Sequence, residues 1–541
     1  MRIALDLAQA PAWPPERAAA YRAAGLWREE GLGEVLQQSA ARWPQLTALV
    51  CGQRRYTYAE LEQAASACAA GLAAQGLQHG MRVLLQLPNC AEFYIALFAC
   101  FKAGIVPVMC LPGHRFGDIG AQAQASQARA WLGHANFRDA ALPAHCPGVQ
   151  HWFVLGGDSL AAPWRDFNEL RRPDLPPPAL PAAGNTALLQ LSGGSTGLPK
   201  LIARSHADYW YSVRCSNEVC GIDQQTRYLC VLPAAHNFPL SSPGALGVLA
   251  AGGCVVLAAD ASPQPCFALI ARERITLTAV TPAIALLWQQ FLRSHAGQKR
   301  MLHSLQLMQI GGAPLDPAFA AGITPTFGCQ LQQVFGMAEG LVNYTRLEDS
   351  AQVCAETQGR PMSAWDELRI VDADGKPLPD GACGQLQTRG PYTICGYWNG
   401  VSPESFTADG FYSTGDLVRR LPSGHLQVLG RCKDVINRGG EKIAALEIEQ
   451  HLQAHPAIAA AAVIGLPDPM LGEKSCACIQ LRPHAAHPDL GQVRAFLQAR
   501  GLALFKLPER LELLPALPLT AVGKTDKKAL RARFAAGRHL N

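Results

Sequence analysis

Short apolar runs that alternate with helical patterns dominate the first 340 residues of the chain. Runs short enough for buried strands are Leu46–Val50, Arg82–Leu87, Ile105–Met109, Thr186–Leu191, Leu305–Ile310 and Gln330–Phe335. The spacing of apolar residues predicts helices over Tyr58–Gly76 and Cys90–Ala103, which separate the first three of these runs. Strands that alternate with helices predict an α/β fold with parallel sheets whose two faces are covered.

The pattern changes beyond residue 350 to short strands separated by hairpin-like turns, such as Asp372–Gly375 and Pro422–Gly424. This change predicts an antiparallel β region over about 350–432. A last αβ unit of about a hundred residues follows it, within the usual range for a domain, and ends in a basic helix, Lys527–Phe534. The 541 residues are too many for one ordinary core, so several domains are expected.

Composition and charge exclude several classes of protein. Hydrophobic residues make up 49% of the chain and charged residues 16%, which predicts a well-buried globular protein rather than a disordered one. The 47 Lys and Arg against 42 Asp and Glu, with no block of like charges, argue against nucleic acid or an anionic membrane as a partner. The eighteen cysteines contain no Cys-x-x-Cys pair, so free thiols are expected and no metal is assigned to cysteine.

No segment of the sequence has the pattern of a targeting peptide or a membrane span. The start, Met1–Asp6, lacks the apolar run of a signal peptide, and prolines and glycines interrupt the long uncharged run Tyr228–Ala259. We therefore predict a cytoplasmic protein without a membrane partner.

A glycine-rich loop follows the strand-like run Thr186–Leu191. Its three glycines would let backbone N–H groups approach a bound anion, while its hydroxyls and a terminal lysine would add donors and charge. The loop is Ser192-Gly193-Gly194-Ser195-Thr196-Gly197-Leu198-Pro199-Lys200. It is not a Walker motif, because Pro199 precedes the lysine and Leu201 follows it. The alternative interpretation of this loop is a glycine-rich turn without a ligand. Its hydroxyl groups and Lys200 favour a loop that binds ATP.

Six further motifs follow this loop along the chain. They are His236, Gly336–Glu339, Ser413–Asp416, Gly430–Arg431, Asn437–Glu441 and Gly523–Lys524. With the loop, these segments in this order resemble the adenylate-forming superfamily of acyl-CoA synthetases, nonribosomal adenylation domains and luciferases. The resemblance implies that a carboxylic acid joins the α-phosphate of ATP, pyrophosphate leaves, and the acyl group then passes to a thiol.

The resemblance also implies a domain plan. It predicts an N-terminal domain over 1–432, with two αβ-sheet subdomains and a β-barrel-like part at about 350–432. A small mobile α+β domain over 433–541 would rotate about a hinge at Lys433.

The same resemblance assigns roles around ATP. The loop, with Ser192, Gly193, Gly194, Ser195, Thr196, Gly197 and Lys200, would hold the β- and γ-phosphates, and Glu339 would bind Mg²⁺. Asp416 and Arg431 would bind the ribose. Lys524 would bridge the substrate carboxylate and the α-phosphate. The nucleotide would lie against Gly311, Gly312, Ala313, Val334, Phe335, Gly336 and Met337. Lys433 is also assigned to the nucleotide site.

The thiol step has its own residues in this resemblance. His236 would gate the mouth of the acyl pocket, and Gly439 with Gly440 would let a pantetheine arm run close to the backbone after the domain rotates. A structural histidine in a proline-rich loop is the alternative for His236.

The acid is predicted from the pocket positions. Asn237 stands where amino-acid-activating relatives carry an aspartate, and an amide cannot neutralise an ammonium but can hydrogen-bond a phenolic hydroxyl. The pattern resembles the 2,3-dihydroxybenzoate–AMP ligases of siderophore biosynthesis, which load an aryl carrier protein through its phosphopantetheine. Phe238 is more typical of salicylate enzymes, whereas Ser242 and Val342 favour 2,3-dihydroxybenzoate. The substrate site would also include His236, Gly311 and Lys524.

Two rival functions remain at this point. A general aryl- or acyl-CoA synthetase would load free CoA and need no carrier protein. A non-catalytic acyl-adenylate-binding protein would have damaged catalytic positions, but Lys524, Glu339, Asp416 and Arg431 are all present.

Overall fold

A computed structural model describes residues 11–157, 160–191, 199–313, 315–438, 441–468, 471–500, 502–520 and 524–535 of the chain. It divides into two compact units. The first unit comprises Met1–Glu367 and Thr388–Tyr412, and the second comprises Leu368–Gln387 and Ser413–Asn541. The predicted antiparallel β region is thus divided, with residues 368–387 and 413–432 in the second unit and the rest in the first. The boundary and hinge near Lys433 stay predictions.

The first unit alternates strands and helices as the apolar pattern predicts. Its strands are β1 (Thr47–Cys51), β2 (Arg54–Thr57), β3 (Arg82–Gln86), β4 (Val106–Met109), β5 (Ala130–His134), β6 (His151–Leu155), β7 (Trp164–Asp166), β8 (Thr186–Leu191), β9 (Leu201–Ser205), β10 (Arg227–Cys230), β11 (Cys254–Leu257), β12 (Leu277–Val280), β13 (Leu307–Gly311), β14 (Gln330–Met337), β15 (Gly340–Tyr344) and β16 (Arg360–Pro361).

The helices of the first unit connect these strands. They are α1 (Pro15–Ala23), α2 (Leu32–Arg42), α3 (Tyr58–Ala74), α4 (Ala91–Ala103), α5 (Phe116–Ser126), α6 (Leu142–His145), α7 (His206–Cys220), α8 (Asn237–Ser241), α9 (Gly244–Ala250), α10 (Pro263–Glu273), α11 (Pro282–Ser294), α12 (Pro317–Ala321), α13 (Ile323–Phe327) and α14 (Ala351–Glu356). The helices predicted over Tyr58–Gly76 and Cys90–Ala103 correspond to α3 and α4.

Two mostly parallel sheets form the first unit. One has seven strands in the order β7-β6-β5-β3-β4-β8-β9, parallel except for the β8–β9 pair. Buried Leu84, Val108, Trp131 and Trp152 lie in its core. The other has nine strands in the order β16-β15-β14-β13-β12-β10-β11-β1-β2, antiparallel only at its two ends. The two predicted αβ-sheet subdomains are confirmed.

Strand β14 differs from its predicted form. The sequence predicts a strand that ends at Phe335, but the strand continues to Met337 and reverses through Ala338 and Glu339 into β15. The intervening residues, Gly336-Met-Ala-Glu-Gly340, contain none of the Asn-Gly or Asp-Gly pairs that signal a tight hairpin. The hairpin matters because it carries Glu339 in its turn.

The second unit contains two smaller sheets. Its elements are β17 (Glu367–Val371), β18 (Cys383–Arg389), β19 (Tyr412–Arg420), β20 (Leu426–Arg431), β21 (Val435–Arg438), β22 (Glu441–Ala444), α15 (Ala445–Gln453), β23 (Ile458–Asp468), β24 (Gly472–Leu481), α16 (Leu490–Ala499), β25 (Arg510–Leu513) and α17 (Lys527–Ala535). A four-stranded sheet, β17-β18-β19-β20, lies where the β-barrel-like part was predicted.

The last αβ unit forms its own core. Its sheet has the order β22-β21-β24-β23, and β25 pairs with β24. Ile443, Ile448, Val463 and Leu497 are fully buried between this sheet and its helices. The predicted small α+β C-terminal domain is therefore confirmed as a fold. Among the residues that the structure describes, no helix has the length and apolarity to cross a bilayer, and the cytoplasmic location stays a prediction.

Candidate active site

The predicted acid and nucleotide residues of the first unit follow the carboxyl ends of three parallel strands. Asn237 and Phe238 come after β10, Gly311–Ala313 after β13, and Val334–Met337 at the end of β14. Because the carboxyl ends of parallel strands meet at one edge, ligands bind there in α/β sheets. The nine-stranded sheet therefore gathers these segments at a single edge.

Phe238 and Gly311 form a close pair at this edge. The Phe238 side chain is buried, and a Cβ at Gly311 would lie 3.3 Å from its Cε1 and 2.5 Å from the Val334 carbonyl oxygen. Only glycine fits between these two groups, because real Cβ atoms do not approach backbone oxygen so closely. Gly312 then turns the chain in the left-handed region, at φ +83°.

The end of β14, where the nucleotide is predicted to lie, becomes more exposed along the strand. Val334 is buried, Phe335 is half-buried and Gly336 is exposed. A Cβ at Gly336 would lie 3.1 Å from Cγ1 of Val342, so the predicted substrate residue Val342 packs across the hairpin against this glycine. Met337 packs against a buried aromatic cluster described below.

Glu339 lies in a shielded position. Glu339 is only 8% exposed, and its Oε1 accepts a hydrogen bond of 3.0 Å from the Tyr397 hydroxyl. Tyr397 packs with Ile202, Ile394 and Tyr412. Within the described ranges, no Lys, Arg or His pairs with Glu339. A buried carboxylate without a cation is costly, so this position suits a bound cation.

Lys200 shares Tyr397 with Glu339. The Lys200 Nζ lies 4.9 Å from the centroid of the Tyr397 ring, which is within the range of a cation–π contact. The structure thus brings the last residue of the glycine loop and the predicted magnesium ligand to opposite parts of one tyrosine. The other predicted loop residues, Ser192, Gly193, Gly194, Ser195, Thr196 and Gly197, lie outside the described residues.

The turn that carries Glu339 is held by a buried ion pair. Arg204 donates from Nη1 to the Ala338 carbonyl at 3.1 Å and from Nε to Asp208 Oδ1 at 2.6 Å. Asp208 also caps α7, because its Oδ2 accepts from the Ser205 backbone N–H at 2.7 Å. The N-terminus of α7 therefore fixes the β14–β15 hairpin beside Glu339.

Helix α8 positions the acid-pocket residues. His236 is its N-cap, and the His236 Nδ1 accepts from the Phe238 backbone N–H at 3.4 Å. Asn237 is the first residue of the helix, and its Oδ1 accepts from the Tyr209 hydroxyl at 2.7 Å. The Ser242 backbone N–H donates to the Phe238 carbonyl at 3.3 Å, and Ser242 is buried. Four predicted pocket residues are therefore grouped in one short helix and its ends.

Hydrogen bonds through Tyr392 connect strand β15 to Asp366. The Val342 backbone N–H donates to the Tyr392 hydroxyl at 3.3 Å, and that hydroxyl donates to Asp366 Oδ2 at 2.6 Å. The other oxygen, Oδ1, is buried and makes no hydrogen bond within the described chain. Burial raises the pKa of Asp366 to about 7, although Tyr392 and the Ser363 backbone oppose the shift.

The raised pKa of Asp366 predicts that the stability of the folded protein depends on pH. In the folded protein Asp366 keeps its proton up to about pH 7, whereas the unfolded chain loses it near its ordinary pKa of 3.8. The stability that the protonated carboxyl contributes is present below pH 3.8 and is lost as the pH rises towards 7. We expect the melting temperature of the parent relative to Asp366→Asn to fall between about pH 4 and pH 7. A difference that is constant over this range would contradict the shift.

The predicted ribose residues meet in the second unit. Asp416 and Arg431 are partners across β19 and β20, and Arg431 Nε donates to Asp416 Oδ1 at 2.8 Å. Asp416 is buried, and its backbone N–H bonds to the Thr414 hydroxyl at 3.0 Å. The Asp416 carboxylate can accept hydrogen bonds and the Arg431 guanidinium can donate them. Both groups are held close together, and this combination suits the two hydroxyls of a ribose.

Lys524 lies beside a β-bridge of the second unit. An antiparallel bridge joins Leu519 to Thr525, and within it the Thr520 N–H donates to the Lys524 carbonyl at 2.7 Å. The Lys524 N–H donates in turn to the Thr520 hydroxyl at 3.2 Å. The backbone is thus fixed on both sides of an exposed side chain.

Lys433, the predicted hinge residue, lies in a short 3-10 turn between β20 and β21. Arg531 of α17 donates to the Lys433 carbonyl at 3.5 Å and to Asp434 Oδ1 at 2.7 Å. Gly439 and Gly440, predicted to line the thiol path, lie outside the described residues.

Three supporting residues, Arg204, Tyr209 and Tyr397, were not predicted from the sequence. Tyr209 and Tyr397 each contact a predicted site residue that is distant in the chain, and Arg204 contacts the Ala338 carbonyl beside Glu339. The only sequence signal for any of them is the Ser205-x-x-Asp208 capping pattern, which marks the start of α7.

The chain is similar to known proteins. Residues 36–398 match the family model of the AMP-binding enzymes, and residues 447–524 match that of the AMP-binding enzyme C-terminal domain. The chain is 49% identical to the vibriobactin-specific 2,3-dihydroxybenzoate-AMP ligase of Vibrio cholerae, over 96% of this chain and 97% of the relative.

Two mycobacterial proteins are similar as well. The salicyl-AMP ligase / salicyl-S-ArCP synthetase of Mycobacterium tuberculosis is 44% identical, over 96% of this chain and 93% of the relative. The apo structure of MbtA from Mycobacterium smegmatis superposes with a TM-score of 0.75 at 46% identity, and covers 98% of this chain and 99% of that one. The chain therefore belongs to the family of AMP-binding, adenylate-forming enzymes.

Proposed function

We propose that this enzyme activates an aryl acid, 2,3-dihydroxybenzoate, with ATP and passes it to the phosphopantetheine thiol of an aryl carrier protein in siderophore biosynthesis. The observation that carries the proposal is Asn237, which stands beside the buried Phe238–Gly311 pair with an amide rather than a carboxylate. An amide does not neutralise the ammonium of an amino acid, but it hydrogen-bonds a phenolic hydroxyl.

The shape of this site also favours a flat ring. Gly311 lets the Phe238 ring and the Val334 carbonyl approach the end of β13 closely, and the Phe238 ring with Val342 would provide apolar contacts. A binding site with apolar walls and one oriented polar group is typical of small aromatic ligands. The relatives from Vibrio cholerae and Mycobacterium tuberculosis bear the names of aryl-acid ligases, which supports the same class of substrate.

The reaction has two steps. In the first, a carboxylate oxygen of the acid attacks the α-phosphorus of ATP and the bond to the pyrophosphate oxygen breaks. Lys524 would neutralise charge between the carboxylate and the α-phosphate, while the glycine loop with Lys200 would hold the leaving phosphates in line. In the second step, the pantetheine thiolate attacks the carbonyl carbon and AMP leaves. His236 would gate this approach.

The residues around Glu339 fit a magnesium ion. Its carboxylate is buried, lacks a cationic partner in the described chain and is oriented by Tyr397. Mg²⁺ is usually held by one or two carboxylates together with substrate phosphates, and a single glutamate is sufficient for that arrangement. The bound ion would neutralise charge on the phosphates. Glu339 would hold it, and the Arg204–Asp208 pair would fix the hairpin that presents Glu339.

Salicylate is the second candidate acid, and Phe238 favours it. Ser242 favours the 3-hydroxyl of dihydroxybenzoate, because a buried hydroxyl that loses its partner costs about 1–3 kcal/mol. Burial raises the pKa of Tyr344 well above its usual range, and the nearby Ser242 opposes that shift. This neighbour offers the serine another partner, so we expect the two acids to differ by a modest factor.

A panel of acids tests the proposal. With ATP and Mg²⁺, pyrophosphate exchange should be fastest with 2,3-dihydroxybenzoate, followed by salicylate, and slow with benzoate, an amino acid and a medium-chain fatty acid. Exchange that is fastest with the amino acid or the fatty acid would overturn the aryl-acid assignment. Supplying free CoA or a pantetheinylated aryl carrier as acceptor then separates a carrier-loading enzyme from a general CoA synthetase.

A further inference from the structure

The amide of Asn237 is oriented mainly by Tyr209. Its Oδ1 accepts from the Tyr209 hydroxyl at 2.7 Å. The Ser241 hydroxyl shares its one proton between this Oδ1, at 3.3 Å, and the Asn237 backbone carbonyl, at 3.1 Å. The amide oxygen therefore has one strong and one weak donor. Within the part of the chain that the structure describes, the Asn237 NH₂ makes no hydrogen bond. The hydrogen-bonding capacity that Asn237 keeps is therefore that of a donor.

Tyr209 is itself fixed. It is fully buried in α7, and the Arg204 guanidinium lies 4.8 Å from the centroid of its ring. Arg204 is held in turn by Asp208 and the Ala338 carbonyl. Burial raises the pKa of Tyr209 to about 12, so the hydroxyl keeps its proton and donates it. Side chains that are locked by their own contacts can orient a binding residue accurately.

We propose that Tyr209 is a positioning residue that turns the NH₂ of Asn237 towards the acid, so that the enzyme selects an ortho substituent that accepts a hydrogen bond. This inference rests on the proposed function, because it concerns the aryl acid bound beside Asn237. An ortho hydroxyl offers lone pairs to the NH₂. An ortho amine of the same size points its own N–H groups at that donor, and its lone pair is delocalised into the ring.

The consequence is a preference between two matched acids. Salicylate and 2-aminobenzoate differ only in whether the ortho group accepts or mainly donates. Sites with fixed hydrogen-bonding groups reject a substrate that leaves those groups unpaired, which makes this discrimination larger than one based on size. The unsubstituted enzyme should therefore prefer salicylate to 2-aminobenzoate, with benzoate as a reference that lacks the ortho group.

Tyr209→Phe tests the role of the tyrosine. Without the hydroxyl, the amide can rotate and present Oδ1 to the acid, so the salicylate to 2-aminobenzoate ratio of kcat/KM should fall about tenfold. Activity with benzoate should change by less than about twofold, because benzoate makes no ortho contact. Ser241→Ala removes the weaker donor and should shift the ratio in the same direction by a smaller factor, even if the tyrosine variant folds poorly.

Tyr58→Phe is the matched control. Tyr58 is equally buried in the first unit, and its hydroxyl donates to the Leu249 and Gly253 carbonyls at 3.0 and 2.7 Å. This variant should melt at a lower temperature but keep the ratio. An active Tyr209→Phe enzyme with an unchanged ratio, or an equal loss for all three acids including benzoate, would overturn the positioning role. An unsubstituted enzyme that activates no aryl acid would instead overturn the proposed function.

Discussion

Lys524→Ala is expected to slow aryl-AMP formation by about 10²- to 10³-fold, because one preorganised charge on a developing transition state has an effect of this size. Two hydrogen bonds between Thr520 and Lys524 use the Lys524 backbone and not its side chain. The backbone at position 524 should therefore keep its place in the variant. Pyrophosphate exchange with saturating acid and ATP measures the effect.

A second measurement separates lost chemistry from lost folding. Supplied with synthetic aryl-AMP, Lys524→Ala should still transfer the acyl group to the carrier thiol at close to the parent rate, because the lysine is assigned to the first step alone. Lys528→Ala, which removes the same charge from exposed residue 528 of α17, should leave both steps unchanged. Equal losses in both steps for Lys524→Ala would contradict the assignment.

Glu339→Gln is the other change with a large expected effect. It keeps the shape of the side chain and removes the charge that would hold Mg²⁺, so the apparent affinity for Mg²⁺ should fall by at least about 10- to 100-fold. The Tyr397 hydroxyl can still donate to the amide oxygen, so the hairpin should stay in place. Pyrophosphate exchange as a function of Mg²⁺ concentration measures the shift.

The control for this change is an exposed glutamate of the same unit. Glu404→Gln alters the charge by the same amount at an exposed position and should leave the Mg²⁺ dependence unchanged. If Glu339→Gln reduced the rate at every Mg²⁺ concentration without shifting the midpoint, Glu339 would have a role other than holding the ion.

The parts of the fold that could be predicted are those set by local pattern. Apolar runs such as Thr186–Leu191 became buried strands because their side chains have no other way to leave water. The hairpin of β14 and β15 was missed since its turn, Ala338-Glu339, lacks the residues that favour positive φ. The strand pattern continued beyond the point where glycine suggested an end.

The candidate site also contains residues that were predicted from the sequence and residues that were not. Glu339, Asn237 and Asp416 stay predictions from residue type and order, and the structure gives each a defined hydrogen-bond partner. Tyr397 and Tyr209 could not be predicted. Each contacts a residue 58 or 28 positions away through a fold that brings distant strands together. Such supporting contacts are set by tertiary packing and leave no local signal.

A single-turnover competition shows whether the enzyme forms an aryl adenylate. The enzyme, in excess over ATP, is mixed with Mg²⁺ and equal concentrations of 2,3-dihydroxybenzoate, salicylate and a medium-chain fatty acid, and the acyl-AMP products are identified by mass spectrometry. We predict that 2,3-dihydroxybenzoyl-AMP is the main product, with salicyl-AMP second. Fatty acyl-AMP as the main product, or no aryl-AMP at all, would contradict the account.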